Sequence, residues 1–227
     1  MKRTILPLLL ICCLATKAQS IDFGTQYQLS THFKTWKGGE LALAEELRIV
    51  DNSRRFAKSE TSIELQHSLL RKQFKPYGLK WRIGGGYSFI IRQNNQFLTY
   101  PQHRFMVQTA ASKQLGTWRL GARIRLQTTY RNPATGDYRF NPQSKLRTRL
   151  SAQYQPHGSM WQYALSEEYF IRIADPRGAL LDEFRTQLSA TRQLNKTQSF
   201  TLFAKLSNEV QVKAPEHLLA LGIELEL

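Results

Sequence analysis

The residues best placed to do chemistry are arginines and glutamates that recur two apart, so that each series falls on one face of an extended strand. Arg82, Arg104, Arg119, Arg123, Arg125, Arg147, Arg149, Arg172 and Arg185 share a face by parity with Glu46, Glu64, Glu168, Glu209, Glu224 and Glu226. A charge taken out of water has to be paired or solvated, because desolvation alone is costly. The planar guanidinium fork suits two-pronged pairing with carboxylates across strands. Such a face can fill a closed interior with ion pairs, which is the leading expectation. It can also line a wet passage, in which a surplus of cations favours anions.

Catalysis would need a nucleophile or activated water, with a base and an acid in hydrogen-bond reach. The histidines are His32, His67, His103, His157 and His217. His67 and Ser68 are neighbours, but adjacent strand residues point to opposite faces and cannot pair directly. His103 and His217 lie near long connections, with Asp137, Asp175 and Asp182 as conceivable acids. No spacing selects a grouping, and no enzymatic activity is expected. Gly84-Gly85-Gly86 lies inside an alternating run, with no Lys-Ser/Thr or helix behind it, so it fails as a phosphate loop. A bend or bulge there is expected instead. Without paired histidine spacing or a thiol outside the first residues, neither a metal nor another cofactor is expected.

The elements that carry these side chains alternate with period two. Between Trp118 and Arg131, Trp118, Leu120, Ala122, Ile124, Leu126, Thr128 and Tyr130 face one way. Arg119, Gly121, Arg123, Arg125, Gln127, Thr129 and Arg131 face the other. Similar runs lie at about 23–33, 40–50, 60–71, 79–92, 103–113, 145–154, 161–173, 183–193, 199–210 and 217–227. Most are longer than the mean soluble strand and match a tilted membrane-spanning strand of roughly 9–11 residues. Aromatic residues gather near the run ends, as girdles at two interfaces would require. A soluble sandwich also alternates, but it does not usually set arginine on the opposite face of successive strands.

Connections near 51–58, 93–101, 131–143, 174–182 and 211–216 are long, and those near 34–39, 114–117, 156–160 and 194–198 are short. Long external loops and short periplasmic turns have this rhythm. Arg54, Arg55, Lys58, Arg139 and Arg177 are expected in the long loops, facing lipopolysaccharide phosphates. Glu45 and Glu167 break the alternation, each beside a second glutamate. A bulge that turns them inward, or a place at the rim, would spare them contact with lipid.

The chain opens with Met1-Lys2-Arg3 and about a dozen apolar residues, then Thr16-Lys17-Ala18-Gln19. That is too short for a membrane helix and reads as a secretory signal, residues 1–18, cut after Ala18. Cys12 and Cys13 lie within it, so the mature chain has no thiol; Ile11 before Cys12 argues against a lipoprotein. Removing Lys2, Arg3 and Lys17 leaves 29 basic against 17 acidic residues. In an exported protein that surplus points to outer-membrane lipid and lipopolysaccharide rather than nucleic acid.

Several segments together carry a resemblance. They are Glu45-Glu46-Leu-Arg48, Gly84-Gly85-Gly86-Tyr87, His103-Arg104-Phe105, Arg119 through Arg125, Lys145-Leu-Arg147-Thr-Arg149-Leu, Ser166-Glu167-Glu168-Tyr169-Phe170 and Glu183-Phe184-Arg185. The chain resembles the exported barrel-like family known as domain of unknown function 2490. The resemblance implies a shape and a location, and no reaction. The C-terminal alternation of Leu219, Leu221, Ile223, Leu225 and Leu227 suits recognition by the barrel-assembly machinery, although such strands often end on an aromatic residue.

The expected fold is all-β, an antiparallel outer-membrane β-barrel of about 10–12 strands spanning 19–227. About eleven runs are visible, whereas single-chain bacterial barrels have even numbers, so ten or twelve strands are expected. The expected role is structural, or that of a narrow or plugged pore. The rivals are an outer-membrane enzyme acting on lipid or peptide at the rim, and a soluble periplasmic β-domain binding an anionic ligand.

Overall fold

The computed structural model describes residues 21–93, 97–131, 141–173, 178–195, 197–210 and 217–227. The expected export segment 1–18 lies outside the described residues, as do Asp137, Arg139, Asp175 and Arg177.

The alternating runs are strands: β1 (Ile21–Lys34), β2 (Gly39–Val50), β3 (Arg55–Leu69), β4 (Leu79–Gln93), β5 (Thr99–Leu115), β6 (Trp118–Arg131), β7 (Gln143–Tyr154), β8 (Trp161–Ile173), β9 (Leu180–Gln193), β10 (Ser199–Glu209) and β11 (His217–Glu226). A four-residue helix, α1 (Arg71–Phe74), and a 3-10 turn, Lys75–Tyr77, lie between β3 and β4. Each strand pairs with its sequence neighbours, and the sheet closes on itself.

The wall has eleven strands, so the expected even count does not hold. The first segment belongs fully to the wall. Closure is made by β1 and β11 running parallel, from Ile21 opposite His217 to Ser30 opposite Glu226. Every other pairing is antiparallel. An odd number of strands leaves the first and last pointing the same way, and only a parallel seam joins them.

The register climbs around the barrel. Following partners from Gln26 through β2, β3 and β4 leads to Tyr100. Following them the other way, through β11, β10, β9, β8, β7 and β6, leads to Gln114 on the same strand. This stagger is what tilts strands in a closed barrel.

Burial is inverted relative to a water-soluble core. Leu29, Leu43, Ile63, Phe105, Val107, Leu120, Ile124, Leu150, Leu188 and Leu221 are exposed on the outer face. Gln26, Ser88, Gln102, Arg125, Gln127, Thr129, Glu168, Lys205 and Ser207 are buried on the inner one. Aromatic contacts on the outer face occur toward both ends: Trp118 with Tyr154 at one, Phe105 with Tyr130 at the other. The interior is polar because the alternation places it there.

Two β-bulges alter that alternation. In β3 the register steps from Arg48–Lys58 to Ile49–Phe56, leaving Ala57 unopposed. In β9 it steps from Phe170–Glu183 to Ile171–Leu181, leaving Asp182 unopposed. At each bulge two residues face one, and the strand beyond changes parity. Consequently Arg55 and Lys58 both line the interior, as do Asp182 and Glu183. Lys58 is therefore not the loop cation expected from Asp51-Asn52-Ser53 beside it; the connection spans only 51–54 and Lys58 lies within a strand.

No bulge occurs at Gly84-Gly85-Gly86, where β4 keeps unbroken register with β3 and β5. Nor are Glu45 and Glu167 turned inward or set at the rim. Each lies mid-strand on the outer face, and neither register shift falls beside it. Ser59 and Thr61 donate hydroxyl hydrogen bonds to Glu45, and Thr186 donates one of 2.7 Å to Glu167. Neighbouring hydroxyls, rather than a backbone irregularity, accommodate these carboxylates.

Candidate functional site

The inner face encloses a cavity of about 960 Å³. Its lining includes Arg104, Arg123, Arg125, Arg147, Arg149, Arg185, Glu168 and Glu209. Side chains from strands far apart in sequence are joined there by ion pairs.

One network alternates in sign across β2, β3 and β5. Glu46 accepts from Arg48 at 3.2 Å and pairs with Lys58 at 2.9 Å. Lys58 also donates to Glu60 at 2.7 Å, and Glu60 pairs with Arg104 at 2.8 Å. Arg48, Lys58 and Glu60 are therefore functional-face residues that parity counting alone did not single out. Glu46, the nearest signal, was legible; continuing its parity to Arg48 would have added one of them.

A second network depends on glycine. Glu64 accepts from Arg125 at 2.9 Å and from Gln108 Nε2 at 3.0 Å. Gln108 Oε1 in turn accepts from Arg125 Nε at 2.9 Å. Between β3 and β5 runs β4, whose inward positions here are Gly84 and Gly86, opposite Gln66 and Glu64. A Cβ at Gly86 would stand 2.6 Å from the Ile63 carbonyl oxygen and 3.0 Å from Glu64 Cγ. The bare backbone lets Glu64 lie across its neighbour and reach the arginine. That is what the inward pair Gly84 and Gly86 allows, and no bend occurs there.

A third network relieves repulsion. Arg123 stands directly opposite Arg149, and Arg125 opposite Arg147, on β6 and β7. Like charges so placed destabilise a strand pair. Glu168 reaches from β8 and accepts from Arg123 at 2.8 Å and Arg147 at 2.9 Å. Arg147 and Arg185 also place their guanidinium groups 4.6 and 4.3 Å from the centre of the Phe170 ring, within cation–π range. Near the bulge, Asp182 pairs with both Lys145 and Arg172, and Glu183 takes a two-pronged contact from Arg185.

The predicted series is thus divided between places. Arg82 and Arg119 are exposed near the strand ends, beside the 70–78 connection and the 116–117 turn, and do not line this cavity. Arg119 donates to Gln114 at 3.0 Å. Glu224 accepts from Gln28, and Glu226 from Ser199, along the parallel seam and its neighbour. Of the loop cations, Arg54 lies exposed in the 51–54 connection.

The catalytic candidates are not assembled. His103 faces outward, 2.8 Å from the Tyr87 hydroxyl, and His217 lies 2.7 Å from Asn208. His67 accepts from Trp36, and His32 lies 3.1 Å from Glu40. Asp182, the described acid among the three proposed, is engaged by Lys145 and Arg172. Among the described residues no group of three metal-ligating side chains comes together.

A family described as a protein of unknown function, DUF2490, matches residues 23–208. No curated protein matches the chain. Among solved structures, an anion-selective porin from Comamonas acidovorans is similar at 9% identity and a TM-score of 0.34, over 84% of this chain and 82% of that one.

Proposed function

The chain belongs to the DUF2490 family, and from that premise we propose that it is an outer-membrane barrel with a structural or narrowly permeable role. Its polar interior is held by ion pairs. The observation that carries this reading is the inverted burial: an apolar outer wall around a charged interior. Such a surface is favourable against lipid and unfavourable against water. In this reading residues 1–18 direct export, the barrel-assembly machinery recognises the last strand, and loop cations meet lipopolysaccharide phosphates.

The interior supports restricted passage rather than a wide channel. Long side chains project inward and meet over the intervening strands, as Glu64 on β3 with Arg125 on β6 and Glu168 on β8 with Arg123 on β6 do. The role is non-catalytic, and the engagement of Asp182 by two cations favours that reading over rim hydrolysis.

A second reading concerns charge. Thirteen lysines and arginines against nine carboxylates line the cavity among the described residues. If ions pass, that surplus favours anions.

Cell fractionation, heat-modifiable mobility in detergent gels and planar-bilayer recording together test the proposal. Outer-membrane recovery, a heat-shifted band and small or absent conductance are expected. Release by osmotic shock without detergent would refute the membrane assignment. Large, unselective conductance steps would refute the ion-paired restriction.

A further inference from the structure

Lys205 is a buried cation that the networks above leave without a carboxylate, more deeply buried than Arg149, which has only the Ser166 hydroxyl. Lys205 projects from β10 into the cavity wall, is 5% exposed, and has no carboxylate within 4 Å among the described residues. Its hydrogen-bond partner is the neutral side-chain amide of Gln26. The charges that act on it are Arg48, Arg185 and Lys58, with Glu46 the nearby carboxylate. Glu46 is already engaged by Arg48 and Lys58. Arg185 is likewise held by Glu183.

The positions beside Lys205 across the seam are small. Its register partner on β11 is Ala220, and the partner of Ala220 on β1 is Gly24. The side chain can therefore lie across the parallel seam, as Glu64 lies across β4, and reach Gln26. A nearby donor is also unspent: the Nε atom of Arg48 is buried without a hydrogen-bond partner.

We propose that Lys205, with Arg48, forms a binding site inside the lumen for a small oxyanion such as phosphate or a carboxylate. A buried ammonium among cations needs a counter-charge or water, and the site offers N–H donors with no acceptor left over. An oxyanion supplies both the charge and several acceptors, whereas a cation or a neutral sugar would leave the surplus in place. The site requires a hydrated lumen. It does not depend on ion conduction, and it stands apart from the membrane assignment.

The alternative use of Lys205 is as a latch across the seam, and the test separates the two. Lys205→Gln removes the charge and keeps an amide able to donate to Gln26. The full barrel, refolded in detergent micelles, is melted by the heat-modifiable gel shift while inorganic phosphate is titrated at constant ionic strength against chloride. Wild type is expected to show a saturable rise in melting temperature, because a ligand that binds only the folded state stabilises it by mass action. Lys205→Gln is expected to weaken the apparent affinity roughly tenfold or more, the usual scale for truncating one partner of a buried charged contact.

Lys205→Arg keeps the charge and should retain the response. Arg48→Gln should lose it, which keeps the proposal testable if Lys205→Gln fails to fold. Arg119→Gln, exposed and outside the cavity lining, should leave the response unchanged. No saturable phosphate effect in wild type, or the same effect in Lys205→Gln, would overturn the site. A barrel that never conducts would still be expected to show it.

Discussion

Glu168 is the carboxylate whose loss should be felt most. It is the shared acceptor for Arg123 and Arg147, with its side chain 10% exposed and theirs 23% and 13%. Replacing it by glutamine keeps size and one acceptor oxygen but removes the charge. Two guanidinium groups then face Arg149 and Arg125 across the β6–β7 pairing with no carboxylate between them. Breaking a buried pair by removing one partner costs about 3–5 kcal/mol. Water in the cavity and the Phe170 ring beside Arg147 both soften that penalty, so about 3 kcal/mol is expected, the lower end of that range. Since 1.4 kcal/mol is a factor of about ten, the folded-to-unfolded ratio should fall roughly a hundredfold. Urea unfolding of the barrel in micelles, followed by tryptophan fluorescence, measures it. The double variant Glu168→Gln/Arg147→Met should recover part of the loss, since exchanging both members of a buried pair for neutral groups is often tolerated. If Glu168→Gln unfolded within about 0.5 kcal/mol of wild type, the range of ordinary surface changes, the account of Glu168 as a bridge would be wrong.

Three further outcomes follow from the geometry. Gly86→Val should destabilise the barrel by about 1–3 kcal/mol, the usual cost of overpacking, whereas Gly85→Ala, 3.2 Å from the nearest atom, should cost far less; equal effects in the same urea assay would remove the special role of the inward glycines. Glu167→Leu should stabilise the protein in lipid vesicles by roughly 1 kcal/mol, because a carboxylate on the proposed lipid face is unfavourable; a loss of stability would mean that the Thr186 hydrogen bond outweighs that cost. Leu29→Cys with Leu225→Cys should form a disulfide across the parallel seam, seen as altered gel mobility without reductant, and failure to cross-link in the folded barrel would contradict closure by β1 and β11.

The alternation of Trp118–Arg131 made its two faces legible, and the same logic located all eleven strands to within a few residues. What alternation does not contain is partnership. Period two says that Arg125 points inward but not that Glu64 meets it, because that contact depends on the bare backbone of Gly84 and Gly86 between them. Bulges hide from it as well. Asp182 and Lys58 stand where a polar stretch reads as loop, and only the register shows that each is part of the wall. The even-number rule misled for a related reason: it assumes a seam like every other pairing. Glu45 was misplaced because the sequence does not reveal that Ser59 and Thr61 lie beside it.

The odd strand count reaches beyond the shape of the wall. The backbone enters β1 at the end bearing the 51–54 connection and leaves β11 at the end bearing the 116–117 turn. In a membrane those ends open onto different compartments. An epitope set just before Ile21 and one set after Leu227 would answer to antibodies applied from opposite sides. An even-stranded barrel would present both to the same side.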